Sequence, residues 1–444
     1  MAESMKYQTM EHDRPRKRVV IVGGGIAGLE MATALGRKWS RRRNAPSVML
    51  IDRDSAHIWK PMLHTIAAGT RDISQQQTPY IAQAHNAGFE YQPGEMCGLD
   101  RDAHEITIAA LLAPDGRVLV PQRKIGFDYL IMAVGSEAND FGTPGVADHC
   151  FRIDSRLQAD AFNREVRIHM LQCLAQDKDL SIAIVGGGAT GVELAAELVR
   201  LTETATSYGA DTLPSRISIT LIESGERLLA AFPQNISSAT RTRLEGLGVK
   251  VMTGAQVSGA RDEGFTLADG WRIDASLKVW AAGVKAPAFL AQLGELDCSR
   301  NNQLVVRPSL QTRQDPAIFA IGDCASLTLP GEERPLPPTA QVAHQQAQHL
   351  IRHLPRMLSH GEPVPDFTYH DFGSLVSLAD YDAYGSLGKF GLFKGATIRG
   401  RLAQLSHAML YRSHQARLYG FWRGGLVWLI DRLNTRLRAT IRLD

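Results

Sequence analysis

One pattern of apolar and polar positions occurs twice along the chain. Arg18-Val-Val-Ile-Val-Gly-Gly-Gly-Ile-Ala-Gly28 and Leu180-Ser-Ile-Ala-Ile-Val-Gly-Gly-Gly-Ala-Thr-Gly191 each run from a short, continuously apolar stretch into a cluster of glycines. Unbroken runs of β-branched residues predict strands covered on both faces, as in the centre of a parallel sheet. The segments that follow, Leu29–Leu35 and Val192–Leu201, are rich in Ala, Leu and Glu with no internal proline, which predicts helices. Two further apolar runs end in small residues: Phe127 to Ser136, with Gly135, and Lys278 to Gly283. A last one, Ile318 to Ala325, is closed by Gly322 and Asp323. Each predicts a strand ending in a turn.

A strand that hands over tightly to a helix leaves the helix's first amide groups free and lets a pyrophosphate approach the backbone. Gly23, Gly25 and Gly28 meet that need once, and Gly186, Gly188 and Gly191 meet it again. The same geometry calls for an acid at the end of the next strand, to bond a ribose hydroxyl. Asp52, after Ser-Val-Met-Leu-Ile, and Glu223, after Ile-Ser-Ile-Thr-Leu-Ile, occupy those places. Both stand further from their glycines than the usual spacing of about 20 residues; the extra length is a basic stretch, Arg37 to Asn44, in the first unit and a polar loop, Thr202 to Pro214, in the second. A carboxylate at Glu223 favours a free ribose 2′-hydroxyl over a 2′-phosphate, so NADH is expected rather than NADPH. Asp323 can accept hydrogen bonds from polyol hydroxyls such as those of a flavin ribityl chain.

Composition narrows the class. At 444 residues the chain is too long for one ordinary core. With 44% hydrophobic and 21% charged residues and a formal net charge of +3, nothing points to nucleic acid or to disorder. The five cysteines contain no Cys-x-x-Cys, so neither a disulfide framework nor a metal site is expected, and a reducing compartment is. Met1 to Lys17 is too polar for a signal peptide. No window reaches the roughly 18–20 consecutive apolar residues of a membrane span, so any membrane contact is made from the surface.

Arg401 to Asp444 has a different character. Leu405, Met409, Ala416, Tyr419, Trp422, Leu426, Leu429, Leu433 and Leu437 recur at helical spacing. Arginines at 401, 412, 417, 423, 432, 436, 438 and 442 outnumber Asp431 and Asp444, and Phe421, Trp422 and Trp428 add interfacial aromatics. That composition suits an amphipathic helix lying in a membrane surface. Gly424-Gly425 is expected to break it into two helices, and the same stripe could serve a homodimer.

The two glycine units, their acids and the Gly322-Asp323 pair together resemble the glutathione-reductase-like flavoproteins. More narrowly, the chain resembles the type II NADH dehydrogenases, single-subunit NADH:quinone oxidoreductases that pump no protons. The likeness spans nearly the whole chain and is sharpest at Trp59-Lys-Pro-Met-Leu63, Asn139 to Val146, Trp280 to Ala286, and Pro337-Pro-Thr-Ala-Gln-Val-Ala-His-Gln-Gln346. It implies an α/β fold of two Rossmann-like dinucleotide-binding domains, the second inserted in the first: 1–150 with 299–372 for non-covalent FAD, 151–298 for NADH, and 373–444 for amphipathic membrane association. It places Lys60, Gly135, Gly283, Ala340 and Gln341 among the cofactor contacts, and Gln341 and Gln345 at the quinone. As i and i+4 on a helix, the two amides share one side. It also places Glu193 near nicotinamide and flavin, although an acid in a first helical turn also simply complements the helix dipole. His64 and His344 are candidate proton donors for quinol formation. The implied activity is FAD-dependent oxidation of NADH with two-electron reduction of a membrane quinone, at the cytoplasmic side of the membrane as a peripheral protein. Two rivals stand beside it: a soluble NADH-dependent reductase of ferredoxin or another small acceptor, and a nucleotide-sensing protein without turnover.

Overall fold

The first apolar run forms the middle of a parallel sheet, as its two-sided burial requires. In the computed structural model, which describes residues 16–71, 77–293, 295–387 and 397–437, Arg18–Val22 lies between Tyr129–Met132 and Ser47–Asp52. Glu90–Pro93 and Ile318–Ala320 extend this five-stranded sheet at its two edges, every pairing parallel. The second run does the same in a four-stranded parallel sheet, ordered Lys250–Met252, Ile217–Ile222, Leu180–Val185, Leu277–Trp280. Each sheet carries a small antiparallel partner of three strands, Met96–Asp100 with Glu105–Ile108 and Arg123–Gly126 in the first lobe, Val257–Arg261 with Gly264–Leu267 and Arg272–Asp274 in the second.

The chain leaves the first sheet after Tyr129–Met132, builds the whole second sheet, and returns to pair Ile318–Ala320 with the strand it left. Where it crosses, Glu137–Ala138 and Val284–Lys285 pair antiparallel, so outgoing and returning strands lie side by side. The second lobe is thus inserted in the first. Val20, Ile21, Leu50 and Ile131 are wholly buried in one core, Ile184, Val192, Leu194 and Val279 in another.

The last part of the chain departs in two respects from the expected run of amphipathic helix. Gly373–Leu378, Asp382–Leu387 and Thr397–Arg399 first form an antiparallel sheet, whose Val376, Leu378 and Tyr384 join the core of the second lobe. Two helices do follow, Arg401–Tyr419 and Phe421–Leu437, but the break is at Gly420, with φ 85°, rather than at Gly424-Gly425. Gly424 is retained inside a helix because a Cβ there would stand 3.3 Å from the Cα of Ala416, so the two helices cross closely at that point. The expected apolar stripe is exposed at Leu405, Met409, Trp422, Leu426, Leu429 and Leu433. The opposite face of the first helix, with Tyr411, His414 and Leu418, is buried. Residues 1–15, Arg438, Arg442, Asp444 and the side chains of Phe421, Arg432, Arg436 and Leu437, named above, lie outside what the structure describes.

Candidate active site

The two glycine turns are built alike, and each of their glycines has its own reason. Gly23, at φ +102°, would drive a Cβ to 2.3 Å from the carbonyl oxygen of Ala133, and Gly28 would drive one to 1.8 Å from that of Gly23. Gly186, at φ +117°, meets the backbone of Ala281, and Gly191 meets the oxygen of Gly186 at 2.0 Å. Gly25 and Gly188 differ: their φ values are ordinary, and a Cβ on either would point into open space. Each precedes a helix that no side chain caps, so its first amides face that space. That is where a pyrophosphate would come closest.

Asp52 accepts hydrogen bonds from the amides of Gly24 (2.5 Å) and Asp54 (2.8 Å). Glu223 accepts from those of Gly187 and Gly225, both at 2.6 Å. Both acids therefore stand against their glycine turns, at the mouth where a ribose would lie. Burial pushes the Asp52 carboxyl up, against the pull of its two amide donors. A cavity of about 220 Å³ runs from Gly23–Gly25 past Asp52 to Gly135 and Asp154.

A second cavity, of about 350 Å³, continues from it to the junction of the lobes. Gly25, Lys60, His64, Gly135, Gly322, Asp323 and Ala340 approach it from the first lobe, Glu193, Trp280 and Gly283 from the second. Ser136 donates to Asp323 Oδ2 at 2.7 Å, and Lys60 donates to the Ser136 carbonyl at 2.5 Å. The turn at Gly322, φ +74°, is held by its amide donating to Gln346 Oε1 at 2.7 Å. Gln346 is 1% exposed and was not singled out from the sequence. The neighbouring Ala343, whose Cβ would meet one on Gly322 at 3.4 Å, sits three residues before it on the same helix, and that spacing was the available signal.

Glu193 is buried beside this cavity. Its Oε1 accepts the amide of Ser377 at 3.0 Å, and Oε2 lies 3.4 Å from His64 Nδ1. Burial, with Glu197 adding like charge, pushes its carboxyl up to about 8 despite the Ser377 donor. At neutral pH the group therefore carries a proton.

Gln341 and Gln345 share a side of the helix Ala340–His360, as expected, yet neither lines the cavity. Gln341 donates to the Tyr369 hydroxyl (2.7 Å) and accepts from the Phe372 amide (2.9 Å). Gln345 donates to the carbonyl of His370 (2.8 Å) and accepts from its amide (3.0 Å). The pair fastens the 369–372 segment along the helix, next to the Ala340 and Ala343 that do face the cavity.

A third constellation escaped sequence reading. Glu30, buried on the helix Ile26–Trp39, lies 2.6 Å from His344 Nδ1 and 2.8 Å from His414 Nδ1. His414 Nε2 meets His57 Nε2 at 3.0 Å, and His57 Nδ1 meets the Gly24 carbonyl at 2.9 Å. Burial alone would raise Glu30, but the two histidine hydrogen bonds outweigh it and bring the carboxyl down to about 2. A carbonyl at one end and a carboxylate at the other both only accept, so the three links joining them need three protons. Two neutral imidazoles supply two. The third would have to be held by the Glu30 carboxylate against burial, which pushes both rings toward neutrality, and the closed chain runs from that acid to the Gly24 carbonyl. It connects the tail helix to the first glycine turn.

All five cysteines are unpaired. Cys324, beside Asp323, donates to the carbonyls of Met132 and Ile321, and burial pushes its thiol up to about 11. It is a packed residue, not a nucleophile. Among the described residues no His, Cys, Asp and Glu cluster could hold a metal, and no helix is long and apolar enough to cross a membrane.

Residues 17–347 match the pyridine nucleotide-disulphide oxidoreductase family. The chain is 40% identical to a type II NADH:quinone oxidoreductase of Haemophilus influenzae, over 96% of its own length and all of that protein's. It is 30% identical to a type II NADH:quinone oxidoreductase of Staphylococcus aureus, over 83% of this chain and 89% of that one. Among solved structures, NDH2 of Plasmodium falciparum in complex with NADH superposes with a TM-score of 0.80 at 20% identity, covering 96% of this chain and 100% of the other. The sulfide:quinone oxidoreductase of Aquifex aeolicus does so with 0.69 at 16% identity, covering 95% of each.

Proposed function

The chain belongs to the pyridine nucleotide-disulphide oxidoreductases and, within them, to the type II NADH:quinone oxidoreductases, and on that premise we propose that it oxidises NADH and reduces a membrane quinone to quinol, using non-covalent FAD and moving no protons across the membrane. The observation that carries this reading is the continuous pair of cavities, which starts at one glycine turn and ends where the second turn's helix meets Asp323 and Lys60.

The residues fit the two nucleotides. In the first lobe Gly25 and the open amides behind it would receive the FAD pyrophosphate, Asp52 the ribose, and Asp323 with Ser136 the ribityl hydroxyls. In the second lobe Gly188 would receive the NADH pyrophosphate and Glu223 the adenosine ribose, leaving the nicotinamide to enter between Glu193 and Gly283. When bound, FAD supplies the redox chemistry, accepting a hydride and passing electrons in pairs.

Lys60 brings a positive charge to the wall of the junction, steadied by the Ser136 carbonyl and by Asp154 at 3.9 Å. Protonated Glu193 keeps the nicotinamide side uncharged and holds a proton at the carboxyl facing His64. On the acceptor side, a quinone carbonyl, which accepts, would compete with the Tyr369 hydroxyl for the Gln341 amide N–H, while the Phe372 amide keeps its bond to Gln341 Oε1 and Gln345 holds the 369–372 segment in place. The exposed stripe of the tail helices would rest in the membrane surface and bring this side to a long-tailed quinone.

The test is an anaerobic stopped-flow trace of the purified protein mixed with NADH and then with a water-soluble quinone. Rapid flavin bleaching followed by quinone-driven recovery is expected. Bleaching without recovery would leave only the NADH-oxidising half and favour a reductase of another acceptor. Failure to bleach would favour a nucleotide-binding protein without turnover.

A further inference from the structure

The basic stretch Arg37 to Asn44 plays no part in the nucleotide sites. It closes the helix Ile26–Trp39 and lies on the first lobe's surface, and its neighbour there is the membrane tail. The Arg37 guanidinium donates to the carbonyls of Arg417 (3.0 Å) and Leu418, which end the first tail helix, and burial together with the charge of Arg423 at the start of the second pushes its pKa down. Trp422, 85% exposed, stands next to Arg423 and begins the apolar stripe of Leu426, Leu429 and Leu433. One helical turn beyond Arg37 come Arg41, Arg42 and Arg43, all exposed, and no carboxylate pairs with them among the described residues. With Arg16 and Ser40 they line a surface cleft of about 400 Å³ that holds one acid, Glu90.

We propose that Arg41, Arg42 and Arg43 form a docking surface for anionic lipid headgroups, a second membrane contact beside the apolar stripe of the tail. The proposal rests on the reading of the tail as membrane-associated. Guanidinium groups match phosphate oxygens in geometry and charge, and the hydrogen bonds of Arg37 fix the cleft beside the end of the tail helix. An amphipathic helix or a single lipid chain holds a protein weakly and reversibly, and a polybasic patch is the usual second signal. Confinement of this surface to one side of the first lobe would also set how the enzyme is oriented, with the acceptor side turned to the bilayer.

The experiment is co-sedimentation of the full-length holoenzyme with vesicles of phosphatidylcholine alone and of phosphatidylcholine mixed with phosphatidylglycerol, at low and high salt. Wild type should bind the mixed vesicles more tightly, and the excess should fall as salt is added. R41Q/R42Q/R43Q should lose about a hundredfold in affinity for the mixed vesicles, from roughly fivefold per basic side chain, while keeping its affinity for phosphatidylcholine and its turnover of a water-soluble quinone. Equal binding of wild type to the two vesicles, or an unchanged triple variant, overturns the proposal and leaves the tail reading in place. Absence of binding to both vesicles overturns the tail reading and the proposal together. Unchanged vesicle binding by the triple variant with loss of binding to duplex DNA would assign the cleft to nucleic acid instead.

Discussion

A carboxyl group whose folded pKa lies above its unfolded one makes stability fall as pH rises. Glu193 is such a group: burial brings it from an ordinary carboxylate value up to about 8. Between those two values the folded protein holds a proton that the unfolded chain has released, so stability is greatest below the unfolded pKa and declines through the window up to about 8. The decline attributable to this residue is on the order of 5 kcal/mol, at about 1.36 kcal/mol per unit. Glu193→Gln, which cannot ionise, should match wild type in melting temperature near pH 4 to 5 and exceed it near pH 9, with the curves measured side by side. If Glu193 also serves the nicotinamide, the same variant should flatten the alkaline limb of the pH profile for NADH-driven flavin reduction. Identical pH profiles of melting would mean that Glu193 titrates normally. Among single residues, those most readable from sequence were the ones whose identity is forced by backbone contact, such as Gly23 and Gly28. Gln346 and Glu30 were unreadable because what they bond lies elsewhere in the chain: Glu30 reaches His414, 384 positions away.

At the scale of elements, the glycine turns separate two demands that the sequence pattern merges. Gly28→Ala puts a methyl group 1.8 Å from a carbonyl oxygen inside the turn. It should destabilise the first lobe by about 2–4 kcal/mol or prevent its folding, seen as a lowered unfolding midpoint. Gly25→Ala meets no atom and has an ordinary φ of −66°, so the apoprotein should unfold as wild type does while FAD binding weakens at least tenfold in a fluorescence titration. Gly188→Ala should keep FAD and raise KM for NADH. Equal loss of fold in all three would show that the open side of the turns is not where phosphate sits.

The tail helix tests the same logic. Its amphipathic period was legible, but the period alone cannot say that His414 on the buried face reaches the first glycine turn through His57. His414→Ala leaves Glu30 and His57 each short of a partner, at a cost of about 1–3 kcal/mol. It should weaken FAD binding although no atom of His414 lines either cavity. Gln341→Ala removes one of the two ties that fasten the 369–372 segment and should raise KM for quinone while sparing flavin reduction by NADH. The break between the tail helices was expected at Gly424-Gly425 because two adjacent glycines disfavour helix. Close approach to Ala416 overrides that cost, and only the packed structure contains that fact.

For the whole molecule, the repeat of strand, turn and acid made two nucleotide-binding units readable, whereas the insertion of one lobe in the other was implied only by the family resemblance, and it is the pairing of Ile318–Ala320 with Leu130–Met132 that displays it. What the sequence could not place was the tail, whose two faces do different work. Leu418 and His414 belong to the interior of the first lobe, whereas Trp422, Leu426, Leu429 and Leu433 are exposed. Deleting everything after Gly400 therefore confounds anchoring with folding, and should cost FAD retention as well as membrane binding. Trp422→Asp with Leu429→Asp separates the two. Both side chains are exposed, so FAD content, melting temperature and turnover of a water-soluble quinone should stay close to wild type. Vesicle binding should fall about tenfold for each apolar side chain removed, and turnover of a long-tailed quinone embedded in those vesicles should fall with it. A double variant that keeps full activity on the embedded quinone would mean that the exposed stripe meets something other than the bilayer. Loss of activity on both quinones would mean that the stripe supports the fold.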